Sequence, residues 1–117
     1  MIPSTRALRS ARVALTAVCL LLLSATTTAA GPVDDAIAEI QREWATIKYE
    51  VPPKQQEARF AELATKAHAA SLRFPDRAEP LVLEGIVVSS HAGAKGGLGA
   101  LGLVKEANAR YERAIEM

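Results

Sequence analysis

The stretch "DRAEPLVLEGIVVSSHA", residues 76–92, decides the fold class. β-Branched residues cluster in its "GIVVSS", a strand-like composition. The start of the stretch argues the other way. Pro80 suits the first turn of a helix, where a missing amide proton matters least. Asp76 can accept from the Glu79 amide while Glu79 reaches back toward Asp76, as in a capping box. No other segment offers a partner strand. The stretch is therefore expected to form a helix whose Leu81, Leu83, Ile86, Val87 and Val88 face a core, in an all-α chain.

The flanking segments carry the helical period. In residues 33–51, Val33, Ile37, Ile40, Trp44, Ile47 and Val51 recur at alternating steps of four and three, an apolar stripe along one helix face. Asp34, Asp35 and Glu39 lie near its start, where the helix dipole favours negative charge. Pro52 and Pro53 stop it. A second helix is expected from about Lys54 to Arg73, ended by Pro75, with Phe60, Leu63, Ala64, Ala67, Ala70 and either Leu72 or Phe74 inside. Residues 92–107, "AGAKGGLGALGLVKEA", place five glycines within ten positions and read as a joint. A fourth helix is expected from about Gly99 or Ala100. Val104, Ala107, Tyr111, Ala114 and Ile115 would line one side, with Glu106 and Arg110 pairing on the wetter one.

Residues 1–30 read as a secretory signal peptide. Arg6, Arg9 and Arg12 precede the apolar run of residues 13–23, and the small-residue tail "SATTTAA" follows. Cleavage is expected after Ala30, with Ala29 the second choice, and the product would be periplasmic or secreted. The apolar core is shorter than the roughly twenty residues of a membrane span, although an uncleaved anchor is the competing reading. Cys19 sits inside the apolar run and reads as filler. No adjacent arginine pair suggests the twin-arginine route. Removing the three arginines from 14 basic residues leaves 11 against 13 acidic ones. The remaining domain, residues 31–117, is mildly acidic and free of cysteine. It lacks the basic face of a nucleic-acid binder, and no stable membrane insertion is expected after cleavage.

These spacings resemble tetratricopeptide repeats, antiparallel helix pairs with a 34-residue period and the pattern W-x2-L-G-x2-Y, A-x3-F-x2-A, then P. With Pro75 as a closing proline, Leu81, Gly85 and Val88 fall on first-helix positions. Ala107-x3-Tyr111-x2-Ala114 matches the second-helix half, and Leu63, Ala67 and Ala70 match it more weakly. Trp44, Ile47 and Val51 resemble a first helix if three extra residues sit in the Pro52-Pro53 turn. The resemblance covers residues 44–117. It implies two helix hairpins of right-handed superhelical type, residues 33–75 and 76–117, as in exported bacterial proteins of this kind. Gly85 and Ala107 stand 22 positions apart where an unbroken repeat has twelve, so residues 92–102 read as a glycine-rich insertion. Two repeats are fewer than the roughly three usually needed. The chain is accordingly expected to be a fragment of a longer array, or a short one completed by a partner.

Sequence chemistry offers little to an enzyme. Gly97-x-Gly99-x-x-Gly102 matches the dinucleotide fingerprint in letters, but a helix rather than a strand is expected before it, and no acidic residue follows at the required distance. Lys95 lacks the Ser/Thr context of a phosphate loop, although it and the amides of residues 93–97 could meet an anion on a partner. His68 and His91 are too few for a metal site. Ser89, Ser90 and His91 are neighbours in sequence without the convergent geometry of a nucleophile and base, and Glu84 lies two turns from His91. Trp44 and Tyr49 could stack on a ligand, but Trp44 sits on the apolar stripe and reads as core. Arg42, Glu43, Lys48, Glu57, Arg59, Glu62 and Lys66 read as a solvated face. No catalytic, cofactor or metal residue is assigned. The expectation is a non-enzymatic scaffold in the cell envelope that holds a protein or peptide between helix pairs. Its alternative is a structural subunit of a larger envelope assembly, and third comes a small enzyme with an anion-binding glycine loop. Self-association through the last helix belongs to the first two readings.

Overall fold

A computed structural model describes residues 31–117; the signal-peptide reading, its cleavage point and Cys19 lie outside the described residues. Four helices follow in order: α1 (Pro32–Glu50), α2 (Pro53–Arg73), α3 (Glu79–Lys95) and α4 (Ala100–Ile115). The described chain is thus all-helical, without a strand among the described residues, and the β-branched run of 85–90 is helix. None of these helices is long and apolar enough to cross a membrane. α3 is the common neighbour: it packs on α2 and α4 extensively and on α1 more lightly, while α4 rests on α3 alone.

The α1 stripe forms as its period requires. Val33, Ile40 and Ile47 are buried, and Ile37, Trp44 and Val51 pack beside them. The helix ends where Pro52 and Pro53 withhold amide protons, and its last carbonyls find another donor. The Gln56 side-chain amide donates to Val51 O at 2.9 Å and to Lys48 O at 3.4 Å. Only Val51 and Pro52 separate the two helices, so the turn does not hold the three extra residues expected there. Phe60, Leu63 and Ala67 of α2 meet Ile40 and Ile47 of α1 and Leu83 and Val87 of α3 in one core. Complete burial of a Phe or Leu side chain contributes about 1.5–3 kcal/mol each. Leu72, a candidate for this face, is 65% exposed, and Ser71 is buried in its place. Arg73 lies over the Phe74 ring at 4.9 Å.

Three further expectations are corrected at α3 and α4. Asp76 and Glu79 form no capping box. The helix starts one residue before Pro80 with Ala78 as N-cap, so Glu79 is too early to reach back. Its carboxylate instead takes two bonds from the Arg77 guanidinium, at 2.8 and 3.1 Å. The glycine-rich segment is helix as far as Lys95, because buried Ala92 and core-packed Ala94 hold the chain in register through Gly93. Only residues 96–99 form the joint, where Gly96 and Gly97 take φ of 66° and 64°. On α4, Val104 and Ile115 are exposed rather than inside, and only Ala107 and Ala114 are buried.

α3 and α4 approach closely at Gly85. A Cβ there would stand 2.8 Å from Cζ of Tyr111. Gly85→Ala should therefore destabilise by up to about 2 kcal/mol, overpacking of roughly 1–3 kcal/mol outweighing a helix-propensity gain of about 1 kcal/mol. With Tyr111 first cut to Ala, the same change should instead stabilise by about 1 kcal/mol. Denaturant unfolding of the four chains of this cycle reads the sign reversal, and its absence would show that the ring is not the obstacle.

A second contact ties α1 to α2. Lys66 Nζ bonds Glu39 Oε1 at 2.7 Å and also Glu43. Its hydrogen bond and charge hold the Glu39 carboxyl below the usual carboxylate range, and the hydrogen bonds it donates to Glu39 and Glu43 raise Lys66. A lowered carboxyl contributes stability above its unfolded pKa and loses it as pH falls through the folded value. A raised ammonium contributes below its unfolded pKa and loses it as pH rises through the folded one. The stability difference between wild type and Lys66→Met should accordingly shrink below about pH 4, and a pH-independent difference would show that these exposed charges contribute nothing.

Candidate functional site

The buried face of α3 is unusually wide: Leu81, Leu83, Glu84, Gly85, Val87, Val88 and Ala92 are all enclosed. Between Leu81 and Ala94 its exposed residues form a narrow stripe at helical spacing, Val82, Ile86, Ser89 and Gly93. Two adjoining clefts open along it and share Ile86. One, of about 410 Å³, has Gln41, Trp44 and Ala45 of α1 facing Leu83 and Ile86 of α3. The other, of about 480 Å³, continues past Ser89, Ser90 and Gly93 to Lys48, Gln56 and Tyr111. The first end is apolar; the second carries hydroxyls and one ammonium. Ile86, expected inside, is instead 39% exposed on the cleft floor, since α1 covers α3 only lightly there.

Trp44 is fixed at this seam. Its indole Nε1 donates to Ser90 Oγ at 2.7 Å, and Ser90 donates to Ile86 O at 3.0 Å. The ring packs on the core and also meets Tyr49 edge-on at 6.2 Å, leaving Tyr49 76% exposed. Trp44 thus packs against the core, as its place on the apolar stripe suggests, and also lines the cleft. Gly93 has nothing within 4 Å of a Cβ position, so packing does not call for glycine there, though it weakens the helix by about 1 kcal/mol relative to Ala.

Outside these clefts, α3 carries a buried carboxylate that sequence reasoning does not single out. The Glu84 side chain is 2% exposed. It accepts from Arg110 Nε of α4 at 2.8 and 3.0 Å. His68 Nδ1 of α2 lies 2.7 Å from Oε1. Ser71 donates to His68 O at 2.8 Å and sits 3.4 Å from the carboxylate. No buried polar side-chain atom is left unpaired among the described residues. Arg110 therefore turns inward rather than to the wetter side, keeping only a loose contact with Glu106 at 3.6 Å. The usable signal was an acid inside "LVLEGIVV" next to the glycine that faces Tyr111, with Arg110 as that tyrosine's neighbour.

The other sequence candidates do not converge. Ser89 donates to Gly85 O at 2.8 Å and lies 3.3 Å from the Tyr111 hydroxyl, while Ser90 is occupied by Trp44. His68 is engaged by Glu84, on a different helix from His91. Gly97, Gly99 and Gly102 follow a helix and lie across a turn and the first turn of α4. The amide of Gly93 belongs to α3, and Lys95 lies against Gly99, where a Cβ would stand 2.8 Å from its Cε. No set of three or more candidate metal ligands gathers among the described residues. Comparison of the chain with protein-family models, curated proteins and solved structures finds no match.

Arg110→Met would leave Glu84 buried with His68 as its remaining ionisable partner. It should lower the unfolding free energy by roughly 2–4 kcal/mol, toward the lower end because Arg110 is itself 20% exposed. Adding Glu84→Leu should recover most of that loss, since an apolar replacement of a whole buried pair is often neutral. Equal losses in the single and double variants, measured in urea, would show that the charge is not what matters.

Proposed function

We propose that this chain is a non-enzymatic helical scaffold of tetratricopeptide type, exported to the cell envelope, that holds a peptide segment of a partner protein in the α1–α3 cleft. The two pairs, α1 with α2 and α3 with α4, would be antiparallel hairpins in right-handed superhelical sequence. On that arrangement α1 and α3 are the first helices of successive repeats, and they line the cleft. The observation that carries the reading is the pair of adjoining clefts about Ile86, apolar at Trp44 and polar at Lys48. Apolar walls with a few convergent polar groups suit a side-chain-reading groove. The cleft's Ser89 and Ser90 hydroxyls are spent on backbone carbonyls, which fits binding better than nucleophilic chemistry. Export rests on the leader pattern of residues 1–30.

Trp44 is the sole tryptophan of the chain and lines the cleft, so its fluorescence reports occupancy directly. Peptides selected from a random display library should shift that emission. Ile86→Glu, which puts a charge on the floor, should abolish the shift. Gly93→Leu should abolish it while raising stability by up to about 1 kcal/mol, as a better helix former fills open space. Failure to select any peptide, or selected peptides that bind both variants unchanged at wild-type Tm, would refute the groove.

A further inference from the structure

At the polar end of the cleft the hydroxyl and amide protons are already spent. Ser89 donates to Gly85 O at 2.8 Å, and Ser90 donates to Ile86 O at 3.0 Å. A hydroxyl carries one proton, so the 3.3 Å contact between Ser89 Oγ and the Tyr111 hydroxyl takes the tyrosine as donor. Ser90 Oγ in turn accepts from the Trp44 indole. The Gln56 amide gives its hydrogens to Val51 O and Lys48 O. Lone pairs on Ser89, Tyr111 and Gln56 remain for a ligand, and the Lys48 ammonium is the one side-chain group at this end with protons left to give. Lys48 is also the single charged residue lining either cleft. It enters none of the ion pairs among the described residues.

We infer, resting on the reading of this cleft as a peptide groove, that its ligand is an acidic peptide. The peptide lies extended along α1, with a large apolar side chain between Trp44 and Ile86 and an Asp or Glu carboxylate on Lys48, two residues away. Charge complementarity selects the acid. A Lys or Arg at that place would face an ammonium, and a neutral amide would gain little over the water it displaces. Spacing selects the two-residue step. Trp44 and Lys48 are four residues apart on one helix, so they stand about 6 Å apart along its axis. Alternate residues of an extended chain point to one side and lie about 6.6 Å apart. The spent protons select the extended form. An extended backbone brings free N–H groups to the lone pairs of Ser89, Tyr111 and Gln56, whereas a helical peptide uses nearly all of its own internally. The apolar residue supplies most of the affinity and the acid supplies selectivity, because an ion pair in contact with water contributes little.

Charge reversal at Lys48 tests this. The full chain and its Lys48→Glu variant, altered only at an exposed side chain, each select peptides from one random display library. Both carry residues 1–30, so any selection by that segment is common to them. Wild type should enrich Asp or Glu two positions from a large apolar residue. Lys48→Glu should enrich Lys or Arg there, with the apolar residue unchanged. Lys105→Glu, on α4 and outside both clefts, should keep the wild-type preference. The best wild-type peptide, synthesised with both termini capped, is then titrated by Trp44 emission. Exchanging its acid for the corresponding amide should weaken binding about two- to fivefold. Added salt should weaken its binding to wild type and much less its binding to Lys48→Gln. Apolar-anchored peptides selected by both chains without a charge preference would overturn this inference and leave the groove standing. Acidic peptides selected by both, or binding that requires a free C-terminal carboxylate, would overturn it as well. If neither chain selects any peptide, the groove itself falls and its acidic ligand with it.

Discussion

A carboxylate stripped of water can stand in the middle of a helix only if cations and donors come to it, and Glu84 imposes that condition on its neighbours. Removing an ionised group from water costs several kcal/mol after relaxation, and the attraction of good partners offsets it only with full hydrogen bonding. Arg110 supplies two bonds from α4, and His68 and Ser71 approach from α2. Apolar packing alone tolerates sliding of one helix over another, since Leu and Ala faces fit several registers. The carboxylate does not. It admits one placement of α2 and one of α4, and the Tyr111 ring over Gly85 falls into that same placement.

The cleft is a product of the same crowding. A helix that must satisfy α2 and α4 through a buried acid turns most of its circumference to them. Between Leu81 and Ala94, α3 consequently exposes only Val82, Ile86, Ser89 and Gly93, and α1 can lean on just part of that stripe. Trp44 bridges the remaining gap by reaching Ser90 instead of packing fully. A glycine at 93 and an isoleucine at 86 are each locally unfavourable, one for helix stability and one for solvation. Their placement on a single open seam is why the seam, rather than the buried ion cluster, is the binding candidate.

The legible parts of the fold were those with redundant signals. Six apolar residues at alternating steps, closed by two prolines, left α1 no second interpretation, and Pro80 with an absent partner strand decided α3 against its β-branched composition. Single-residue signals were weaker. An acid within an apolar run reads as solvent-facing until the helix carrying its cation is placed beside it, and Arg110 lies 26 residues away. Five glycines read as a loop because local propensity is all the sequence offers there. Burial of Ala92 and packing of Ala94 outweigh that propensity, so the joint shrinks to four residues. Ile86 and Val104 look like core by hydrophobicity alone; which side of a helix its neighbours occupy is tertiary information.

α4 shows how a weakly anchored helix is kept within the cooperative unit. Its buried side chains are alanines, each worth little by area, and it touches α3 only. A helix of 16 residues is marginal by itself in water. Apolar burial would therefore let α4 detach at small cost. Detachment, however, would take Arg110 from Glu84 and strand a carboxylate in the interior with an imidazole and a hydroxyl for company. That cost falls on α2 and α3 as well, because their packing encloses the charge. The ion pair contributes less as net attraction than as a penalty on separation. It makes loss of α4 a disturbance of the core, and so couples the least buried of the described helices to α3, the most enclosed one.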